Sequence, residues 1–157
     1  MDREHDRALR ETGFWGRRGA GCLFLARDTG RLCVAHRSRY VQSPNTWGTW
    51  GGALDGAESP EEAVLRESRE ESGYRGPIEL EPLFVFRHPS GFAYHNFLAR
   101  VPAEFEPRLN WETSAFVWTV WDRIPDPRHA GLEALLADTA SLNAILLAAG
   151  SGMAETG

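Results

Sequence analysis

The stretch that decides the reading is Ser59-Pro60-Glu61-Glu62-Ala63-Val64-Leu65-Arg66-Glu67-Ser68-Arg69-Glu70-Glu71-Ser72-Gly73-Tyr74. Ser59 is a helix-capping residue type, Pro60 suits the first helical position, and Glu62 completes a capping box. Gly73 supplies the left-handed stop. The segment therefore predicts a helix running to about Ser72. With ~100° per residue and Glu67 set at zero, Glu71 falls at about +40° and Glu70 at about −60°, so three carboxylates share one arc of roughly 100°. Val64, Leu65, Ser68 and Ser72 fill the neighbouring arc, which is expected to face a sheet. The small serines allow a close approach.

Six of the chain's fifteen glutamates lie between Glu58 and Glu71. A Glu-rich helix is most often a solvated face, and a plain acidic interaction helix is one reading of this one. Glu67 and Glu71, however, are like charges at i and i+4, an arrangement that destabilises a helix. Arg66 is within reach of Glu62 and Glu70, and no basic residue other than Arg69 stands between Glu67 and Glu71. A hard divalent cation would neutralise the pair. Mg²⁺ takes a few carboxylate oxygens, keeps several waters and bridges to substrate phosphates.

Extending the stretch backward adds a second signal. Gly52, five residues, Glu58, seven residues, then Arg66-Glu67-Ser68-Arg69-Glu70-Glu71-Ser72-Gly73-Tyr74 resembles the Nudix box. All seven fixed positions of that pattern are matched, which at average residue usage is a chance event on the order of 10⁻⁸ per starting point. Ser68 stands where the family usually carries an aliphatic residue, and Tyr74 is a polar-tipped member of the apolar class. The resemblance implies an α+β fold, a Nudix-type α/β/α sandwich with a mixed central β-sheet. It also implies hydrolysis of the diphosphate linkage in a nucleoside diphosphate joined to another group, whether nucleoside triphosphate, nucleotide sugar, ADP-ribose or dinucleotide polyphosphate. The implied cofactor is Mg²⁺, with Mn²⁺ as the alternative. Its ligands are expected among Glu67, Glu70, Glu71, the Gly52 carbonyl and Glu112. Glu67 and Glu112 are the two candidates for the general base. Arg66 is expected to orient the carboxylates, and Glu58 to be its partner or a more distant ligand. Arg37 and Arg39 precede the loop that faces the box in the family, where a guanidinium clamps phosphate. Trp47, Trp50, Phe92, Tyr94 and Trp111 are candidates for stacking on a base, although aromatics more often belong to the core. Pro89, sixteen residues past Gly73, is a weak pointer toward ADP-ribose. A nucleotide-sensing or partner-binding module without catalysis is the alternative function.

Working outward, Ala20–Ala26 and Leu32–His36 read as a hairpin around Asp28-Thr29-Gly30. Trp47–Leu54 reads as a short strand entering a loop with unusual backbone angles. Ile78–Phe86, Phe92–Val101 and Ala115–Trp121 are further strands. Leu132, Leu135, Leu136, Leu142, Ile145 and Leu146 recur at helical spacing and predict one broken helix or two short ones. The 157 residues suit one domain, expected over residues 20–149, with a flexible arm over 1–19 and a frayed tail over 150–157.

Composition excludes several classes. All 17 basic residues are arginine, so a P-loop lysine, a lysine Schiff base and a lysine general base are ruled out. A net charge of −5 does not favour a DNA surface. Cys22 and Cys33 are too few for a disulfide framework or a four-thiolate zinc site and are expected to be buried thiols. The apolar tract from Leu132 to Ala149 is interrupted by Glu133, Asp138, Ser141 and Asn143, so no membrane span is expected. A cytoplasmic protein acting on a nucleotide-type diphosphate is the resulting expectation, with oligomerisation left open.

Overall fold

The computed structural model describes residues 18–156, with side chains to residue 150. The arm expected over 1–19 lies outside the described residues as far as residue 17. Its last residue, Gly19, already belongs to the sheet. The strands are β1 (Gly19–Ala26), β2 (Leu32–Arg37), β3 (Trp47–Gly48), β4 (Trp50–Ala53), β5 (Glu79–Arg87), β6 (Ala93–Val101) and β7 (Thr113–Thr119). The helices are α1 (Pro60–Ser72), α2 (Ala130–Ala137) and α3 (Thr139–Thr156), with a 3₁₀ turn at Trp121–Arg123. Helix α3 thus continues through most of the stretch expected as a tail.

The sheet is mixed. Its main path is β3-β2-β1-β6-β5, with β4 paired to β1 and β7 to β2. Among the described strands, only β1 and β6 run parallel, from Gly19 opposite Tyr94 to Ala26 opposite Val101. β1 also shares one edge between β4, which pairs along Gly19–Cys22, and β2, which pairs at Phe24 and Leu25.

Successive residues of a strand face opposite sides of a sheet, and β1 is buried on both. Ala20, Cys22, Phe24 and Ala26 pack with Ala63 and Val64 of α1. Leu23 and Leu25 pack with Leu132, Leu135 and Leu136 of α2 and Ile145 of α3. One strand therefore carries two cores and sets the sandwich. Cys22 and Cys33 are free, buried thiols. Burial pushes both thiol pKa values up, consistent with packing rather than reactivity.

The C-terminal periodicity resolves into two helices. Asp138 ends α2, and its carboxylate accepts from the Ser141 N–H (3.0 Å) to start α3. Among the described residues, no single helix is long and apolar enough to cross a membrane. The α2–α3 pair is bent by 81°, and its Leu132, Leu135 and Ile145 are buried against the sheet.

Candidate active site

Helix α1 forms as its sequence dictates. Ser59 Oγ accepts from the Glu62 N–H, and the Glu62 carboxylate accepts from the Ser59 N–H, both at 3.1 Å. Gly73 closes the helix with φ 73°, its N–H donating to Arg69 O. Ser68 and Ser72 are fully buried on the sheet side, their hydroxyls turned back onto the carbonyls of Leu65 and Ser68. No bulky side chain holds the helix away, so its acidic stripe lies against β4.

The three stripe carboxylates are graded rather than equivalent. Glu71 is only 8% exposed, and one oxygen accepts from the Gly51 N–H at 2.6 Å. Glu67 sits beside Gly52, where a Cβ would lie 2.7 Å from its carboxyl carbon and 2.9 Å from each oxygen. Glu70 is 58% exposed. Gly51 and Gly52 adopt no positive φ; the unusual angles expected of the loop that β4 enters fall at Gly56, with φ 49°. Gly51 and Gly52 are glycines because β1 lies against one and the Glu67 carboxylate against the other.

Arg66 is the hub. It donates from Nε and Nη2 to both oxygens of Glu58 (2.8 and 2.9 Å) and from Nη1 to Glu67 (3.0 Å) and Glu70 (3.5 Å). Two sequence expectations change as a result. Glu62 is committed to the helix cap and does not pair with Arg66, and Glu67 is not left unneutralised. The Arg66–Glu58 fork is charge-assisted and bidentate, holding the Glu58 carboxyl at about 2, well below its usual range. The same hydrogen bonds raise the pKa of Arg66.

A cleft of ≈ 350 Å³ opens over this helix, lined by Arg37, Tyr40, Glu67, Glu71, Trp111 and Glu112 among others. Burial raises the pKa of Glu71 well above the ordinary carboxylate value, and Glu112 and Glu67 raise it further; the Gly51 N–H and Arg37 oppose the shift. Burial likewise raises Glu67, against the pull of Arg66, and Glu112, against the pull of Arg37. Three acids that resist ionisation around one cleft are a cluster whose charge a bound cation would relieve. Among the described residues, no three His, Cys, Asp or Glu side chains form a ready-made metal cage. Arg66 and the Gly51 N–H hold the carboxylates instead. A magnesium ion needs only one or two protein carboxylates beside water and phosphate oxygens, so the donor set fits.

The remaining sequence candidates divide. Arg37 lines the cleft, its Nε donating to Gln42 O (2.7 Å), and burial lowers its pKa. Arg39 does not line the cleft; it lies over the Tyr40 ring and donates to the Tyr40 hydroxyl. Trp47 packs edge-on to His36 and against the leucine core, away from the cleft. Trp50 is wholly buried, its indole donating to Cys33 O. Trp111 is 65% exposed at the cleft.

A second cavity, of ≈ 200 Å³, shares Arg37, Thr49, Gly51 and Gly52 with the first. Phe92 and Tyr94 line it as the aromatic reading allowed. Asn96 and His129 line it as well, and the sequence reading gave neither a role. An Asn immediately before the apolar run Phe97–Ala99 was the available signal.

Comparison with known proteins agrees with this geometry. A family model described as NUDIX domain matches residues 15–138. A protein of Mycobacterium tuberculosis named "Putative 8-oxo-dGTP diphosphatase 3" is 30% identical over 77% of the chain, and the chain spans 61% of that relative's length. The crystal structure of a MutT NUDIX hydrolase from Burkholderia pseudomallei is 30% identical, covers 78% of this chain and 97% of its own, and superposes with a TM-score of 0.63. A Nudix hydrolase from M. smegmatis, RenU, shares the fold at 23% identity, with 82% and 86% coverage and a TM-score of 0.69. The spacing from Gly52 to Gly73, the sandwich around β1 and the match over residues 15–138 converge: this chain belongs to the NUDIX domain family.

Proposed function

We propose that this protein is a metal-dependent pyrophosphohydrolase that cleaves the diphosphate linkage of a nucleotide. Water attacks one phosphorus, one P–O–P bond breaks, and two phosphorylated fragments leave. The substrate class spans nucleoside triphosphates, nucleotide sugars, ADP-ribose and dinucleotide polyphosphates. The name of the mycobacterial relative adds oxidised purine triphosphates to the first of these. The observation that carries the reading is Glu71: a carboxylate buried to 8% exposure, with one N–H partner, in a cleft shared with Glu67 and Glu112. Leaving such a group without a cation is costly.

Glu67, Glu70, Glu71, the Gly52 carbonyl and Glu112 would hold Mg²⁺ or Mn²⁺. When bound, a divalent ion supplies charge neutralisation for the diphosphate and Lewis acidity at phosphorus. The chain's own residues do the rest. Arg66 fixes Glu67 through the same guanidinium that grips Glu58, acting as a positioning residue. Glu67 or Glu112 accepts the proton of the attacking water; both carboxylates line the cleft. Arg37 meets the phosphate charge. The cytoplasm is the proposed compartment, in keeping with two free thiols.

The test is turnover of a nucleotide panel in ¹⁸O-labelled water, with Mg²⁺ and with chelator. Metal-dependent release of a labelled phosphorylated fragment is expected, and the label's position names the phosphorus attacked. The engagement of Glu67 and Glu70 by Arg66 favours a second reading, a nucleotide sensor. Tight nucleotide binding with no turnover on any substrate would establish that reading and overturn the first.

A further inference from the structure

The acids of the cleft are held in different ways. Arg66 pins Glu67, and the Gly51 N–H holds Glu71. The Glu112 carboxylate meets its charged neighbours among the described residues, Arg37 and Glu70, through charge alone and without a hydrogen bond. Its place in the cleft is therefore set by its main chain, and that main chain is fastened at both ends. The Glu112 N–H donates to Asn110 Oδ1 at 2.9 Å, and the Glu112 carbonyl accepts from the Ser38 N–H at 2.9 Å. The first of these bonds is an Asx turn, in which an asparagine oxygen accepts from the N–H two residues on. The Thr113 N–H closes on Asn110 O at 3.3 Å. Only the oxygen end of an amide accepts, so the bond from Glu112 also fixes which way the Asn110 side chain points.

The strand that follows is adjusted to the same end. β7 pairs with β2 so that Ala115 lies opposite His36 and Thr113 opposite Arg37, with the register shifting between His36 and Arg37. Ser114 is the extra residue, a bulge, and its hydroxyl lies 2.6 Å from His36 Nδ1. Successive residues of a strand face opposite sides, so one added residue turns those before it to the other face of the sheet. Thr113 thereby falls opposite Arg37, and both line the acidic cleft beside Glu112. Asn110 itself is exposed, so it contributes nothing to either core. We infer that Asn110 is a positioning residue for the reaction: its Oδ1 holds the Glu112 main chain where the Ser114 bulge has turned it, and so keeps the Glu112 carboxylate in the cleft. The inference rests on the reading of Glu112 as a metal ligand or base of a diphosphate hydrolase. A turn that served only to lead the chain into β7 would leave Glu112 indifferent to the loss of the Asn110 oxygen.

The test compares Asn110→Ala, Glu112→Gln and the double variant. The readouts are kcat and KM with Mg²⁺ on GTP and ADP-ribose, Mn²⁺ affinity by calorimetry, which needs no substrate, and Tm. Glu112→Gln shows which parameter Glu112 serves: kcat for a base, Mn²⁺ affinity for a ligand. Asn110→Ala is expected to lower that same parameter about 10-fold, the scale of one lost hydrogen bond, with KM and Tm little changed. Asn110→Asp keeps the acceptor oxygen and is expected to restore most of the loss. In the Glu112→Gln background, Asn110→Ala is expected to add little, because a residue that acts through Glu112 then has nothing left to position. Wild-type behaviour of Asn110→Ala beside an impaired Glu112→Gln overturns the inference and leaves the reading of Glu112 standing. So does a loss that persists in full in the double variant, or one that Asn110→Asp fails to restore. If Glu112→Gln itself keeps wild-type turnover and metal affinity, the reading of Glu112 falls and the inference falls with it.

Discussion

Two adjacent glycines separate the fold from the site, and alanine at each tests which is which. At Gly52 an added Cβ would stand 2.7 Å from the Glu67 carboxyl carbon and 2.9 Å from both oxygens. Ordinary contacts are about 3.5–4.0 Å, so the carboxylate must withdraw by about 1 Å. It is the end of a flexible side chain, and Gly52 has no positive φ, so the fold hardly notices. The expected change in stability is within about 1 kcal/mol, or about 4 °C in Tm for a chain of this size. The expected loss in kcat/KM is about 10²-fold, since a misplacement of about 1 Å carries that cost. At Gly51 the added Cβ would fall on the Ala20 carbonyl and the Gly21 Cα of β1. Backbone cannot withdraw without parting β4 from β1, where Gly21 and Gly51 pair. Overpacking of that kind costs about 3 kcal/mol or more, which is about 6–12 °C in Tm. Melting curves and steady-state kinetics with Mg²⁺ and a nucleotide substrate measure both effects. Wild-type turnover in Gly52→Ala would refute the placement of Glu67 against this glycine as the working arrangement. Equal melting temperatures for the two variants would refute the division of labour between them.

The carboxylates also predict a pH response. Glu71 has a folded pKa above its unfolded value of about 4.3. Its contribution to stability is therefore full below that unfolded value and is lost as pH rises through the folded pKa. Glu58, held at about 2, has the opposite sign: its contribution is present above the unfolded value and fades as pH falls toward about 2. Metal-free protein should thus lose stability as pH climbs from about 4.3 toward neutrality. Mg²⁺ should restore it at pH 7 in the wild type but not in Glu71→Gln, as read by Tm against pH with and without chelator. Arg66→Lys keeps the charge but loses the fork to Glu58; kcat should fall about 10–100-fold with KM little changed, the signature of a lost positioning contact.

The local parts of the structure were legible in the sequence. Ser59, Pro60, Glu62 and Gly73 state where α1 starts and stops because capping involves neighbours in the chain. The alternation in β1 was visible as an apolar run, and its division between two helical layers follows from strand geometry. What escaped depends on distant partners. Trp47 and Trp111 have the same side chain, yet one joins the core and the other is exposed beside Glu112; nothing within either segment distinguishes them. The need for glycine at Gly51 and Gly52 is not local either, since the atoms they make room for belong to β1 and α1. Asn96 likewise takes its partner from another strand, its Nδ2 donating to Phe84 O where the register of β5 against β6 breaks.

The lengths of the Arg66 hydrogen bonds explain how the acidic cluster is held together. A helix whose acids served only to meet solvent would leave all of them exposed and weakly paired, as Glu70 is. Here Glu71 is buried and Glu67 is pinned by the Arg66 guanidinium. The two short bonds to Glu58, at 2.8 and 2.9 Å, anchor Arg66 outside the cleft. The longer ones, 3.0 Å to Glu67 and 3.5 Å to Glu70, are those a divalent ion at the proposed site would compete with. On the proposed reading, losing the weaker contacts to a doubly charged ion would leave Arg66 still held by Glu58. That arrangement requires Glu58 to be more than a distant surface acid. Glu58→Gln should therefore free Arg66 to bind Glu67 and Glu70 more tightly and raise the Mg²⁺ concentration needed for half-maximal activity. A lower or unchanged metal requirement would show that Arg66 does not compete for those carboxylates.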